Sequence, residues 1–170
     1  AVGGALSIRM SNAPGDGLVM TVAGGEVVVE GDATFSTGVA QDGASTEGSL
    51  TAGTLRFRGD FDQRHESSET DDTFISTGTK VVFEGTSPHV IAFQDGGASD
   101  SRFHDVEIRN TAGVSLQSST NYVTGRLEVL GGGSISGGLI YFVNELPREI
   151  SGTYSVTTSR VEGEITLSEG

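Results

Sequence analysis

Short alternating apolar runs, each bounded by Gly, Asp, Asn or Ser, recur along the whole 170-residue chain, and no segment holds a 3.6-residue period for a dozen residues. The pattern predicts an all-β chain. Strands are expected at Ala5 to Met10, Leu18 to Val22, Glu26 to Glu30, Thr54 to Arg58, Thr79 to Glu84 and Val90 to Phe93. The series continues at Val106 to Arg109, Val114 to Gln117, Tyr122 to Leu130, Leu139 to Val143, Tyr154 to Thr157 and Glu162 to Leu167. Many short strands without a helix describe a solenoid, a barrel or a sandwich.

Internal similarity chooses among these. Gly25-Glu-Val-Val-Val-Glu-Gly31-Asp32, Gly53-Thr-Leu-Arg-Phe-Arg-Gly59-Asp60 and Gly78-Thr-Lys-Val-Val-Phe-Glu-Gly85-Thr86 share one form, and Gly125-Arg-Leu-Glu-Val-Leu-Gly131 is a looser copy. The first three copies start one interval apart and the fourth about two intervals further on, which fits a stacked coil of roughly 20 to 30 residues. In each copy one strand is flanked by glycines, which serve where the chain turns sharply or passes close to the next coil. Within the copies Val27 and Val29, or Leu55 and Phe57, should point inward, with Glu26, Val28 and Glu30, or Thr54, Arg56 and Arg58, outward. The expected fold is a right-handed parallel β-helix with short coils and loop insertions, one domain over residues 1–170. An antiparallel β-sandwich is the alternative, kept open by the turn pairs Asp16-Gly17, Asp42-Gly43 and Asp95-Gly96.

Two stretches interrupt the strands. Val39 to Gly48 reads as a small polar insertion. Gly59 to Asp72, with Asp60, Asp62, Glu66, Glu69, Asp71 and Asp72 set against Arg64, reads as a solvated loop projecting from a corner. Loops on one face of a solenoid are where binding usually resides. The tail after Asn144 reads as a break at Glu145-Leu-Pro147-Arg148 followed by a cap or a terminal hairpin of strands around Tyr154 and Ile165.

The text from Phe103 through Asn110, Gly113, Val114-Ser-Leu116, Asn121, Val123-Thr-Gly125-Arg-Leu127-Glu-Val129 to Gly131 runs strand, Asn turn, strand, polar turn, strand. This resembles the β-helix repeats of large bacterial surface proteins, the adhesins and autotransporter passengers. The resemblance covers roughly Gly25 to Gly138 and is one of structural grammar. It implies a β-helical fold and a secreted or cell-surface setting, bacterial or phage, and the Ala1 start is read as a piece of a longer chain.

Composition narrows the functions. The 26 glycines are dispersed in short runs between apolar segments, and no Cys is available for a disulfide framework. The formal charge of −13, with 23 acidic against 10 basic residues, argues against a nucleic-acid partner, since phosphate binding requires a basic surface. No apolar stretch is long enough to span a membrane. His65, His89 and His104 lack metal-ligand spacing; His65 and His89 are expected at the surface, and His104 should face away from its neighbour Asp105. No nucleophile elbow, phosphate loop or dinucleotide fingerprint occurs.

The acidic cluster suits calcium, which takes six to eight oxygens from flexible loops, and the candidate ligands are Asp60, Asp62, Asp71 and Asp72; no other cofactor is expected. The reading that follows is a non-catalytic structural or adhesive module, a stiff scaffold presenting loops to a glycan, a host or other protein surface, or a sister subunit. The alternative is a carbohydrate-active β-helix enzyme, a polysaccharide lyase or glycoside hydrolase, which would present paired carboxylates and exposed aromatics on one sheet.

Overall fold

A computed structural model describes residues 3–10, 17–37, 48–65, 73–117, 121–142, 148–151, 160–162 and 165–168; for 9, 10, 37, 65 and the last three segments it describes the backbone alone. The chain runs through β1 (Leu6–Met10), β2 (Glu26–Val29), β3 (Ala33–Thr37), β4 (Thr54–Phe57), β5 (Phe61–His65), β6 (Lys80–Phe83), β7 (His89–Phe93) and β8 (Asp105–Ile108). It continues through β9 (Val114–Leu116), β10 (Asn121–Val123), β11 (Leu127–Val129), β12 (Ile135–Ser136), β13 (Leu139–Phe142), β14 (Arg148–Ser151), β15 (Arg160–Glu162) and β16 (Ile165–Ser168). No described residue is helical.

The strands form three sheets stacked as a parallel β-solenoid. Sheet 1 has seven strands in the order β16-β14-β11-β8-β6-β4-β2; sheet 2 has six, β1-β3-β5-β7-β9-β12; sheet 3 has three, β10-β13-β15. Isolated bridges at Met20 to Leu50, Leu50 to Ser76, Ile75 to Arg102 and Phe103 to Val123 extend sheet 3 back along the stack. Every strand pairing among the described residues is parallel, which removes the antiparallel sandwich.

The glycine-flanked copies all fall on sheet 1, as β2, β4, β6 and β11, and β8 occupies the double interval between the third and fourth. Their register aligns like with like. Val27, Leu55, Val81, Val106 and Leu127 form one inward column, and Val29, Phe57, Phe83, Ile108 and Val129 the next. A single coil has no second layer on which to bury this face, so the column is the unit of stability. Sheet 2 adds Ala33, Phe61, Ile91 and Leu116. Between the sheets lies an aromatic core in which Phe61 touches Phe35, Phe57, Phe74, Phe83, Phe93 and Phe103, with ring centroids 5.0 to 6.3 Å apart.

The flanking glycines sit where backbones of successive coils meet. A Cβ on Gly53, whose φ is +80°, would lie 2.7 Å from the Gly25 carbonyl oxygen, and one on Gly59 would collide with the backbone of Gly31. Only a residue without a side chain fits such a corner.

Several local expectations are corrected. The segment Gly59 to Asp72 is no continuous solvated loop, because β5 runs through it and buries Phe61 and Gln63. One apolar residue with four polar ones carries little alternation, and the charge around it masks the strand. The run Tyr122 to Leu130 is two strands on different sheets, divided at a corner where a Cβ on Gly125 would lie 2.8 Å from the His104 carbonyl. Among the described residues Leu18 to Val22 pairs only through Met20, and Val19 and Val22 face solvent. At the C-terminal end β15 pairs with β13 and β16 with β14, both in parallel, so these two join different sheets; Tyr154 lies outside the described residues.

Candidate functional site

The outer face of sheet 1 carries an ordered lattice of opposite charges. Side chains of neighbouring coils lie one rung apart, close enough for Arg to bridge the rungs on either side. The Arg56 guanidinium meets Glu26 at 2.7 Å and Glu84 at 3.0 Å, while Arg58 meets Glu30 at 2.8 Å and Glu84 at 2.9 Å. Hydrogen bonding to Glu26 raises the Arg56 pKa above its ordinary value, and hydrogen bonding to Glu30 does the same for Arg58. Further along, Lys80 and Arg109 both contact Glu107, whose side chain is 1% exposed, and Arg126 pairs with Glu128 at 3.1 Å. Two cations covering one carboxylate explain how a glutamate on an outward position is buried.

Corners of the stack, at Asp32 and Asp60 between sheets 1 and 2 and at Asp105 between sheets 3 and 1, use carboxylates differently. Asp32 Oδ1 accepts the Asp60 amide at 2.9 Å, Asp60 Oδ1 accepts the Val90 amide at 2.8 Å, and Asp105 Oδ1 accepts the Arg126 amide at 2.7 Å. Each carboxylate thus satisfies a backbone donor of the following coil, a group that costs free energy if buried unpaired. The signal was in the sequence: Asp32 and Asp60 each follow the glycine that closes a repeat.

Of the four candidate calcium ligands, Asp60 is held by that corner and Asp62 pairs with Arg64 on the outer face of sheet 2, raising the arginine's pKa. Asp71 and Asp72 lie outside the described residues. No group of three or more His, Cys, Asp or Glu placed to hold a metal occurs among the described residues.

His89 corrects a surface expectation. It begins β7 in an inward position and is 3% exposed. Burial lowers its pKa, opposed by the nearby carboxylates of Asp60 and Asp32 and by a hydrogen bond to the Arg58 backbone. Nδ1 has no hydrogen-bond partner among the described residues. The turn-like Pro88 before it hid this, since a strand beginning immediately after a turn has no preceding alternation to read. His104 pairs with the Thr124 hydroxyl at 3.1 Å, as its expected separation from Asp105 allows. His65 ends β5, and its side chain is outside the description.

Other polar residues unmarked in the sequence serve the frame. Buried Asn110 accepts the amides of Ala112 and Gly113 and donates to Ser87 of the preceding coil. Gln63 stands between Phe35 and Phe93 in an inward column, accepting the Asp95 amide at 3.0 Å.

A third feature lies at the corner where sheet 2 ends. Met10, Thr37 and His65, the last residues of β1, β3 and β5, are aligned in register, and the chain re-enters at Met20, Leu50 and Ser76, which are bridged in turn. Successive coils therefore leave and re-enter the frame at neighbouring rungs of one corner. On the outside of sheet 3, Tyr122 and Tyr141 stack with ring centroids 4.9 Å apart.

Fold and faces define the class: a parallel β-solenoid repeat protein whose described carboxylates are largely engaged in holding coil to coil. Compared with protein-family models, curated proteins and solved structures, the chain matches none. No helix among the described residues is long and apolar enough to cross a membrane.

Proposed function

We propose that the chain is a non-catalytic scaffold module of a secreted or cell-surface protein of the adhesin kind, a stiff stack that presents loops to a glycan or protein surface. The observation that carries this is the shared corner. Three successive coils leave sheet 2 at the aligned Met10, Thr37 and His65 and return at the aligned Met20, Leu50 and Ser76. Rigid frames with variable loops at one edge are a recurrent arrangement for binding.

The carbohydrate-active enzyme is the weaker reading. Such chemistry needs a carboxylic acid and a carboxylate free to meet substrate, separated by about 5 to 10 Å. Here Glu26, Glu30, Glu84, Glu107 and Glu128 are ion-paired and Asp32, Asp60 and Asp105 accept backbone amides.

Replacing residues 66–72 with a Gly-Ser linker of equal length tests the proposal. Binding of the whole chain to immobilised glycans and extracellular-matrix proteins should be lost in the variant, with the β-type circular dichroism and the melting temperature kept. Binding that survives replacement of each of the three segments in turn would overturn it.

A further inference from the structure

Among the described side chains, every Arg and Lys but one meets a carboxylate. Arg56, Arg58, Arg64, Lys80, Arg109 and Arg126 are ion-paired. The exception is Arg102, half-buried on the outside of sheet 3, in a chain with 23 acidic residues against 10 basic ones. Its Nη1 donates to the Asp100 carbonyl at 3.0 Å, while the Asp100 carboxylate lies against Gly97. The next acidic residue, Asp105, accepts the Arg126 amide. A guanidinium in this position keeps further N–H donors, in the planar arrangement that grips a carboxylate through two of them.

The surroundings of Arg102 indicate what would carry that carboxylate. The bridges Ile75 to Arg102 and Phe103 to Val123 set Arg102 level with Tyr122, which is level with Tyr141 and stacked on it with ring centroids 4.9 Å apart. Two residues on, His104 is level with Thr124. The Thr124 hydroxyl donates to the Phe103 carbonyl at 3.2 Å, so toward His104 Nδ1, 3.1 Å away, it accepts. That places the proton of the neutral ring on Nδ1 and leaves Nε2 an acceptor for a hydroxyl. Exposed Thr51 and Thr77 continue the row of hydroxyls toward the N-terminal coils. Among the described side chains no carboxylate stands level with these residues on the outside of sheet 3; Glu162, level with Tyr141 in β15, is the first acidic residue in the row. A cation, two amphipathic rings and a row of hydroxyl and imidazole groups suit a ligand rich in hydroxyls. The large exposed hydrophobics that an apolar peptide would seek, Val19 and Val22, belong to the first coil.

The geometry points to this face of sheet 3 as a binding site for a sugar acid, a pyranose ring bearing a carboxylate, of the kind that uronic and sialic acid residues bring to a glycan. The carboxylate would sit on the Arg102 guanidinium, the ring beside Tyr122 and Tyr141, and hydroxyls toward His104 Nε2 and Thr124. The inference rests on the glycan reading given above and supplies that glycan's chemistry. Ile75, at the return of segment 66–72, is level with Arg102, so a glycan seated here reaches the same corner. The net charge of −13 favours a ligand with isolated carboxylates over a dense polyanion.

The test titrates the whole chain into fluorescein-labelled 3′-sialyllactose, lactose and a hyaluronan tetrasaccharide, followed by anisotropy. At least one of the two acidic sugars should bind about tenfold or more tightly than lactose, and which of them does so separates a sialic from a uronic source. Arg102→Gln should bring that preference below about twofold, while Arg102→Lys, which keeps the charge and loses the planar fork, should retain part of it. Tyr141→Leu should weaken binding of acidic and neutral sugars alike. Unchanged circular dichroism and melting temperature would show that each variant folds. Lactose bound as tightly as both acids, or neither acid bound up to about millimolar concentration, would overturn the proposal and leave the corner segments to a neutral glycan or a protein. An acid preference that survives Arg102→Gln but is lost on replacing residues 66–72 would overturn this site alone. Tighter binding of an acetylated Glu-Gly-Glu peptide than of either acid would also overturn it, assigning the face to a protein partner.

Discussion

Phe61 makes ring contacts with six other phenylalanines and is fully buried, yet its neighbours in the chain are Asp60 and Asp62. Its truncation should be among the most damaging in the molecule. Phe61→Ala is predicted to cost about 3 to 5 kcal/mol, the usual range for an aromatic side chain removed from a packed core. Urea melts would check it, and a loss near that of a surface substitution, below about 0.5 kcal/mol, would contradict the central placement. His89 supplies a pH dependence. Its folded pKa is depressed by burial, so the unfolded chain takes up a proton, near pH 6.5, that the folded chain refuses. The contribution is complete above pH 6.5 and declines as pH falls from there toward the folded value, at no more than about 1.4 kcal/mol per pH unit. Equilibrium melts between pH 7.5 and 5.5 should show this loss in the wild type and a flatter profile in His89→Gln; equal slopes would assign the effect elsewhere. Neither residue was legible beforehand, because the inward direction of Phe61, Gln63 and His89 is set by their register with Ile91, Phe93 and Val114, which belong to later coils.

At the scale of elements, the glycine-flanked strands were readable because three conditions coincide in them: alternation, β-branched or aromatic inward residues, and glycine at each end. Strands β3, β5, β12 and β14 lacked at least one of these and were not foreseen. Their partners make them strands. Ala33-Thr-Phe-Ser-Thr37 lies between β1 and β5, and Ile135-Ser136 pairs with β9. Stability in such a stack is a sum of rung and nearest-neighbour terms. Amide exchange should therefore be slowest in β4, β6 and β8, which have a strand on both sides, and faster in β2 and β16 at the ends of sheet 1. Exchange followed by mass spectrometry would reveal the gradient. A flat profile would mean that the stack opens only as one unit.

For the whole molecule, the net charge of −13 described a strongly acidic chain, yet sheet 1 presents a face of compensated pairs. The pairing depends on a coil offset that sets Arg56 and Arg58 between glutamates roughly one coil away in each direction, a relation no local window contains. The same holds for the corner aspartates: Asp60 read as a loop carboxylate and proves to cap a backbone amide at Val90. What the sequence by itself determined was the all-β class, the repeat, the glycine corners and the inward columns of sheet 1, because these follow from short-range sterics and from a period repeated along the chain. Only the tertiary structure decided the three-sheet winding, the burial of Phe61, Gln63 and His89, and the charge lattice. Each of these arises from contact between successive coils, and the offset between coils is settled by the packing of the whole stack.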